Sequence, residues 1–206
     1  LDKSEKSLIH EDLGLLLPTS GSTGSPKLVR ISYENIISNA NSIAKFLSID
    51  KGERAITSLP IYYSFGLSVI NSHFISGSTI LLTKSSLMER AFWTFLKNYK
   101  ATSISGTPYS FELLNRIGFL KMNLPFLKTI TQAGGKLNHN LNREFSSFCK
   151  LEGKRFFVMY GQTEATARIS YLPNQKSIEK IGSVGIPIPG GELSIVDDNG
   201  KKINDK

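Results

Sequence analysis

The sequence holds a single cysteine, Cys149, and a single tryptophan in 206 residues. One thiol cannot close an internal disulfide, so a disulfide framework is excluded and a reducing, cytoplasmic setting is expected. Cys149 lies in the helix-like stretch NREFSSFCKL beside Phe145 and Phe148, which points to a buried, unreactive thiol. No apolar run reaches the ~18 residues that a helix needs to span a bilayer, so no membrane span is expected. The opening LDKSEKSLIHED is polar and charged and lacks the apolar stretch of a signal peptide. His10, His73 and His139 lack the spacing of metal ligands and are read as incidental. The 25 Lys+Arg against 17 Asp+Glu leave a net charge of +8, which asks for a polyanionic partner or a solvated basic surface. The basic residues are scattered and never form a run of five with interleaved aromatics, so nucleic acid is not the expected partner. ATP and pyrophosphate are the alternative polyanions.

What is present fits a globular protein. A hydrophobic content of 40% with 20% charged residues is ordinary, and the length suffices to bury a real core. Short β-type apolar runs alternate with helical ones. LGLLLPT and KLVRIS read as strands flanking a loop. From Tyr33 to Leu47, the residues Ile36, Ile37, Ala40, Ile43, Ala44 and Leu47 form one apolar helical face, with Ser32 as N-cap. Further strands are expected at AITSL, STILLT, ATSIS, LKTITQA and RFFVMY. Helices are expected at FGLSVINSHFIS and over residues 88–99, 108–117 (with Pro108 in the first turn) and 138–151. This alternation implies an α/β fold, a mostly parallel sheet with helices packed on it. In such sheets ligands gather beyond the carboxyl ends of strands, so the loops there hold the candidate site. The last expected strand, ELSIVD, is followed by Asp-Asn-Gly, a turn whose return strand is missing. With an opening residue other than Met, this suggests a piece of a longer protein.

Two loops carry chemistry. The first, TSGSTGSPK over residues 19–27, combines Gly21 and Gly24 with the hydroxyls of Thr19, Ser20, Ser22, Thr23 and Ser25 and ends on Lys27. Successive loop N–H groups and a lysine suit the β- and γ-phosphates of a nucleotide. It is not a Walker loop, because Ser25-Pro26 precede Lys27 and a strand follows. A flexible Gly/Ser surface loop has the same composition. The second is YGQTEAT over residues 160–166, after the strand RFFVM. Glu164 suits Mg²⁺, a hard cation that takes oxygen ligands beside phosphate, and Thr163 offers a hydroxyl to an α-phosphate. The competing reading of Glu164 is a carboxylate at a helix N-terminus.

TSGSTGSPK resembles the phosphate-binding signature of the adenylate-forming (AMP-binding) superfamily. Its members include acyl- and aryl-CoA synthetases, luciferases and peptide-synthetase adenylation domains. YGQTEAT resembles the same family's second signature, and QAGGKL and GSVGIPIPGGEL (residues 182–193) resemble two flanking segments. The resemblance implies a sublobe of the family's large N-terminal domain over residues 1–206. It also implies that the ribose-binding Asp, the hinge and the C-terminal domain with its adenylation lysine lie outside this sequence. Residues 19–24 with Lys27 would hold the phosphates, Thr163 the α-phosphate and Glu164 the metal. Tyr160 with Gly161, Gly134 and Gly135 would line the adenine, and Tyr63, Ser64, Ala133 and Gly134 the acid.

Two departures bear on substrate. Tyr63 stands where the family often carries a pocket-gating His, and a Tyr does not titrate near neutral pH as His does. Ser64 stands where amino-acid-activating domains carry an Asp, which disfavours an α-amino acid, since a buried ammonium without a counter-charge is costly. The implied activity is ATP-dependent activation of a small carboxylic acid as its acyl-adenylate. Transfer to a thiol follows, on coenzyme A or on the phosphopantetheine arm of an acyl carrier protein. A non-catalytic nucleotide-binding module is the alternative of another class.

Overall fold

The computed structural model describes residues 9–19 and 27–203. An antiparallel hairpin, β1 (Leu13–Pro18) with β2 (Leu28–Ser32), opens the chain and brackets the Gly/Ser loop. Helix α1 (Tyr33–Leu47) starts where expected. The Ser32 hydroxyl accepts from the Asn35 N–H at 3.1 Å, and the Asn35 side chain accepts from the Ser32 N–H at 3.3 Å. The buried side of α1 is Asn39, Ala40, Ile43 and Leu47, whereas Ile37, expected on it, is 53% exposed. Ile37 lies about 100° around the helix from Ile36, outside the stripe that faces the sheet. Asn39 fills the buried place instead, its Nδ2 donating to the Arg168 carbonyl at 2.9 Å.

The remaining elements alternate as the sequence implies. They are β3 (Arg54–Thr57), α2 (Ser64–Ile75), β4 (Thr79–Leu82), α3 (Arg90–Asn98), β5 (Ser103–Gly106), α4 (Pro108–Arg116), β6 (Thr129–Gln132), α5 (His139–Leu151) and β7 (Arg155–Tyr160). Two short strands the sequence reading missed, β8 (Ser170–Tyr171) and β9 (Ile186–Pro187), complete a seven-stranded sheet of order β4-β3-β5-β6-β7-β8-β9. The first five of these are parallel, and β8 and β9 run antiparallel at the edge. At two residues each, β8 and β9 are too short for an alternating pattern to announce them.

The strand RFFVMY splits its residues between two cores, as a sheet covered on both faces requires. On one face Ile56, Ile104, Ile130 and Phe156 pack with Phe92 of α3, Phe111 of α4 and Phe145 of α5. On the other, Ala55, Phe157 and Met159 pack with Ile43 and Leu47 of α1 and Phe65 and Val69 of α2. The result is three layers. Cys149 is buried in the first core, and burial pushes its thiol up to about 12, against a smaller opposite pull from Lys154. The thiol is therefore protonated at neutral pH, and a disulfide reagent should label it only on unfolding, at the same denaturant midpoint as circular dichroism. Prompt labelling of native protein would contradict its placement.

His73 on α2 is also buried, with Nδ1 donating to the Val69 carbonyl at 2.7 Å. Burial lowers its pKa below 6.5, partly opposed by that bond and by Glu53. Above pH 6.5 the ring is neutral whether folded or unfolded. As the pH falls below that value, the unfolded chain binds the proton first and stability declines, by at most about 1.4 kcal/mol per pH unit. Urea midpoints at mildly acid and neutral pH should show this decline in wild type and a smaller one in His73→Gln.

The strand expected over residues 192–197 does not form. A lone bridge joins Val196 to Lys202, and Asp197 Oδ1 accepts from the N–H groups of Asn199 and Lys201 at 3.0 and 2.9 Å. The return segment expected to be missing is thus supplied by residues 201–203, with the Ile203 N–H donating to the Ile195 carbonyl at 2.8 Å. Leu193, Ile195 and Val196 stay exposed, and a two-segment ribbon without a covering layer does not extend into a ladder. Among the described residues no helix is long and apolar enough to cross a membrane.

Candidate active site

In the sheet order, β3 leads to β4 on one side while β5 lies on the other, so a crevice is expected beyond the carboxyl ends of these strands. The loops that leave β3, β5, β6 and β7 converge there. Ser64, the first residue of α2, is buried, and the Thr163 hydroxyl donates to its Oγ at 3.2 Å, joining residues 99 positions apart. Tyr63 precedes it and presses its hydroxyl on the β6 loop. A Cβ built at Gly134 would lie 2.3 Å from Tyr63 Oη, and Gly134 itself adopts φ +83°, so the position admits only glycine without rearrangement. Ala133 is buried beneath. Gln132, which the sequence reading passed over, holds this turn by donating from Nε2 to the Gly135 carbonyl at 2.8 Å.

The β7 loop is a closed structure. The Ile169 N–H donates to the Tyr160 carbonyl at 2.9 Å, and the Ala167 and Thr166 N–H groups donate to the carbonyls of Gln162 and Thr163 at 3.2 and 3.1 Å. Thr163–Ala165 forms a single 3-10 turn carrying the exposed Glu164 carboxylate. A turn of three residues has little macrodipole, so the helix-terminus reading of Glu164 loses its basis. Thr166 and Ala167 follow with φ 54° and 80°, a left-handed pair of non-glycine residues of the kind found where a ligand site dictates backbone direction.

A cavity of about 520 Å³ lies beside this loop, lined by Gly134, Gly135, Tyr160 and Gly161 of the expected set. Its volume falls in the range of small-molecule sites. Lys136, Asn142, Gly182 and Ser183 also line it and were not singled out from sequence. The available signal was the GSVG turn that opens the flanking segment over residues 182–193. Thr163 and Glu164 do not line the cavity but continue from Gly161 on the same loop.

Of the first loop, Ser20, Gly21, Ser22, Thr23 and Gly24 lie outside the described residues. Its two ends are described: the Thr19 N–H donates to the Lys27 carbonyl at 2.9 Å, closing the base of the loop. Strand β2 packs against the turn that carries Glu164, so the loop's base stands on the same side of the molecule as YGQTEAT. Among the described residues no three His, Cys, Asp or Glu side chains cluster as a metal cage. A lone exposed carboxylate beside a cavity of small-molecule size would suit magnesium, which commonly keeps waters and substrate phosphates as its other ligands.

A family model described as "AMP-binding enzyme" matches residues 2–206. The chain belongs to that family. It is 30% identical over 197 residues to a luciferin 4-monooxygenase of Nipponoluciola cruciata, covering 93% of this chain and 35% of that protein. The O-succinylbenzoate coenzyme A synthetase of Bacillus subtilis, solved in complex with ATP and magnesium ion, superposes with a TM-score of 0.79 at 28% identity, over 92% of this chain and 38% of that one. The inhibitor-bound N-terminal domain of FACL13 from Mycobacterium tuberculosis matches with a TM-score of 0.83 over 98% of this chain and 50% of that one. At 18% identity this last match bears on fold alone, and the fold is that of a large part of such an N-terminal domain. The chain spans little more than a third of the luciferase's length.

Proposed function

We propose that this AMP-binding chain is the nucleotide-binding part of an enzyme that activates a carboxylic acid with ATP and passes the acyl group to a thiol. A carboxylate oxygen attacks the α-phosphorus, the bond to the bridging oxygen breaks, and pyrophosphate leaves with that electron pair. A thiolate then attacks the acyl carbon and AMP leaves. The observation that carries this reading is the Thr163–Ser64 hydroxyl contact, which joins the loop of the nucleotide signature to the start of the acid-side helix.

Each residue has a defined task in it. Gly134 and Gly135 let the base and the acyl group approach the backbone, and Tyr160 forms a wall of the adenine pocket. The Thr163 hydroxyl donates to the α-phosphate, while Lys27 and the loop it closes take the charge of the leaving group. Glu164 would hold magnesium, which supplies charge neutralisation on the phosphate oxygens. Positioning and charge stabilisation do most of the catalytic work in such a transfer. Tyr63 and Ser64 face the acid, with no carboxylate there to pair an α-amino group.

Coenzyme A is the proposed acceptor, supported by the synthetase among the relatives above. The carrier-protein alternative finds no such support in their names. We place the reaction in the cytoplasm, which supplies ATP and keeps Cys149 reduced. ATP–pyrophosphate exchange by the full-length protein across a panel of carboxylic acids tests the reading, followed by thioester formation with coenzyme A or a carrier protein. The 206 residues alone should show weak nucleotide binding and little exchange. No exchange by the full-length protein with any acid would favour the non-catalytic module.

A further inference from the structure

Behind the site, between the sheet and the layer of α1 and α2, lies a second cavity of about 20 Å³. Met159 lines both this cavity and the larger one. Strands β5 and β6 turn Ile104 and Ile130 to the opposite core, and to this side they turn Ser103, Ser105, Thr129 and Thr131. A parallel strand covered on both faces is ordinarily apolar on both, so four hydroxyl residues around one cavity are a departure. Ser105 and Thr131 satisfy each other at 2.8 Å, but Ser103 Oγ is buried without a hydrogen-bond partner.

Two guanidinium groups flank the same space, and they differ. Arg155 is satisfied, donating to the Leu47 carbonyl at 2.8 Å and to Thr129 Oγ1 at 2.7 Å. Arg168, 3% exposed, is held by longer contacts. Among the described residues its guanidinium donates to Met159 Sδ and to the neighbouring Ala167 carbonyl, both at 3.4 Å, and lies over the Phe65 ring, 4.1 Å from Cζ. A guanidinium carries five donors. Among the described residues no carboxylate pairs with it, and Glu53, on the same cavity, accepts from the Thr102 hydroxyl instead. Burial pulls Arg168 down to about 9, which leaves it charged at neutral pH, and His73 on the cavity wall is kept neutral by its own burial. Two guanidinium groups, Arg155 and Arg168, thus share the cavity with one carboxylate, Glu53, which leaves one positive charge without a counter-charge among the described residues.

We propose that Arg168 is a specificity-determining residue that pairs with a second, anionic oxygen group on the tail of the acid, so that the substrate is a short dicarboxylic acid. This rests on the activation reading above and names the substrate class of the same site. Arg168 follows Thr163 and Glu164 on one closed loop and lies against Phe65, next to Ser64, so it stands directly behind the acid side. The cavity's small volume accepts a terminal oxygen and excludes a threaded alkyl chain. A site built to bond a polar group discriminates strongly against the analogue that lacks it, because its own groups are then left unpaired.

Exchange is measured with the full-length protein on short dicarboxylic acids and on monocarboxylic acids of the same chain length. Wild type should prefer the dicarboxylic series. Arg168→Met should lower that preference by at least about tenfold, through a raised KM for dicarboxylates with kcat on monocarboxylates kept, and Arg168→Lys should restore part of it. A wild-type preference for monocarboxylates, or an equal loss on both series, overturns the assignment; the latter means that Arg168 serves the framework or the reacting carboxylate. Should Arg168→Met fail to fold, the rise in wild-type Tm with each series decides, and equal shifts overturn the proposal. Absence of exchange with every acid sinks the activation reading, while the differential Tm shift still judges the pairing with Arg168.

Discussion

Glu164→Gln in the full-length protein should lower ATP–pyrophosphate exchange by about a hundredfold or more while leaving Tm unchanged. The two halves of this expectation come from one observation. The carboxylate is exposed on the 3-10 turn and forms no ion pair among the described residues, so the fold does not depend on it. Surface substitutions away from such structural roles usually change stability by no more than about 0.5 kcal/mol. Glutamine keeps the shape and removes the charge, so a loss of exchange with Tm intact isolates the charge. Raising the magnesium concentration should recover part of the rate in the variant. Unchanged exchange would remove Glu164 from the machinery, and with it the reading of the second signature.

Gly161→Ala should be the more severe change, abolishing exchange and lowering Tm together. A Cβ at position 161 would meet the Ala167 carbonyl oxygen at 1.7 Å and its carbon at 2.7 Å, both backbone atoms. Neither can swing aside as a side-chain tip would. The loop is cinched at its base by the bond from the Ile169 N–H to the Tyr160 carbonyl, and Thr166 and Ala167 already hold left-handed conformations. Relief must come from opening the loop, which moves Thr163 off Ser64 and Glu164 off its turn. Thermal melting and exchange measured on the same preparation check this. A variant with wild-type Tm and activity would mean that the loop's path is not the one described.

The parallel core of the fold was legible because short β-type runs alternate with longer helical stretches all the way from β3 to β7. Ser32 announced α1 by its chemistry, and Pro108 marked the first turn of α4. The failures share a cause. Ile37 was placed by counting apolar residues, but which side of a helix is covered depends on the angle at which it meets the sheet. Residues 192–197 have strand composition and no neighbour to complete a ladder, so composition alone misled. The short β8 and β9 exist only because β7 offers them an edge.

The site divides in the same way. From the sequence alone the two loops, TSGSTGSPK and YGQTEAT, were legible as candidates, because each resembles a signature of the family whose model matches the chain, and such short motifs are local strings that do not depend on what packs behind them. The sequence also determined the layered α/β class, through periodicities that are local. Only the tertiary structure decided which distant groups meet: Thr163 with Ser64, Tyr63 with Gly134, and the base of the Gly/Ser loop with the turn of Glu164. It also decided that Arg168, an unremarked residue in TEATARIS, is buried against the Phe65 ring with no carboxylate paired to it among the described residues. Burial and pairing are properties of contacts between remote segments, and no local pattern encodes them.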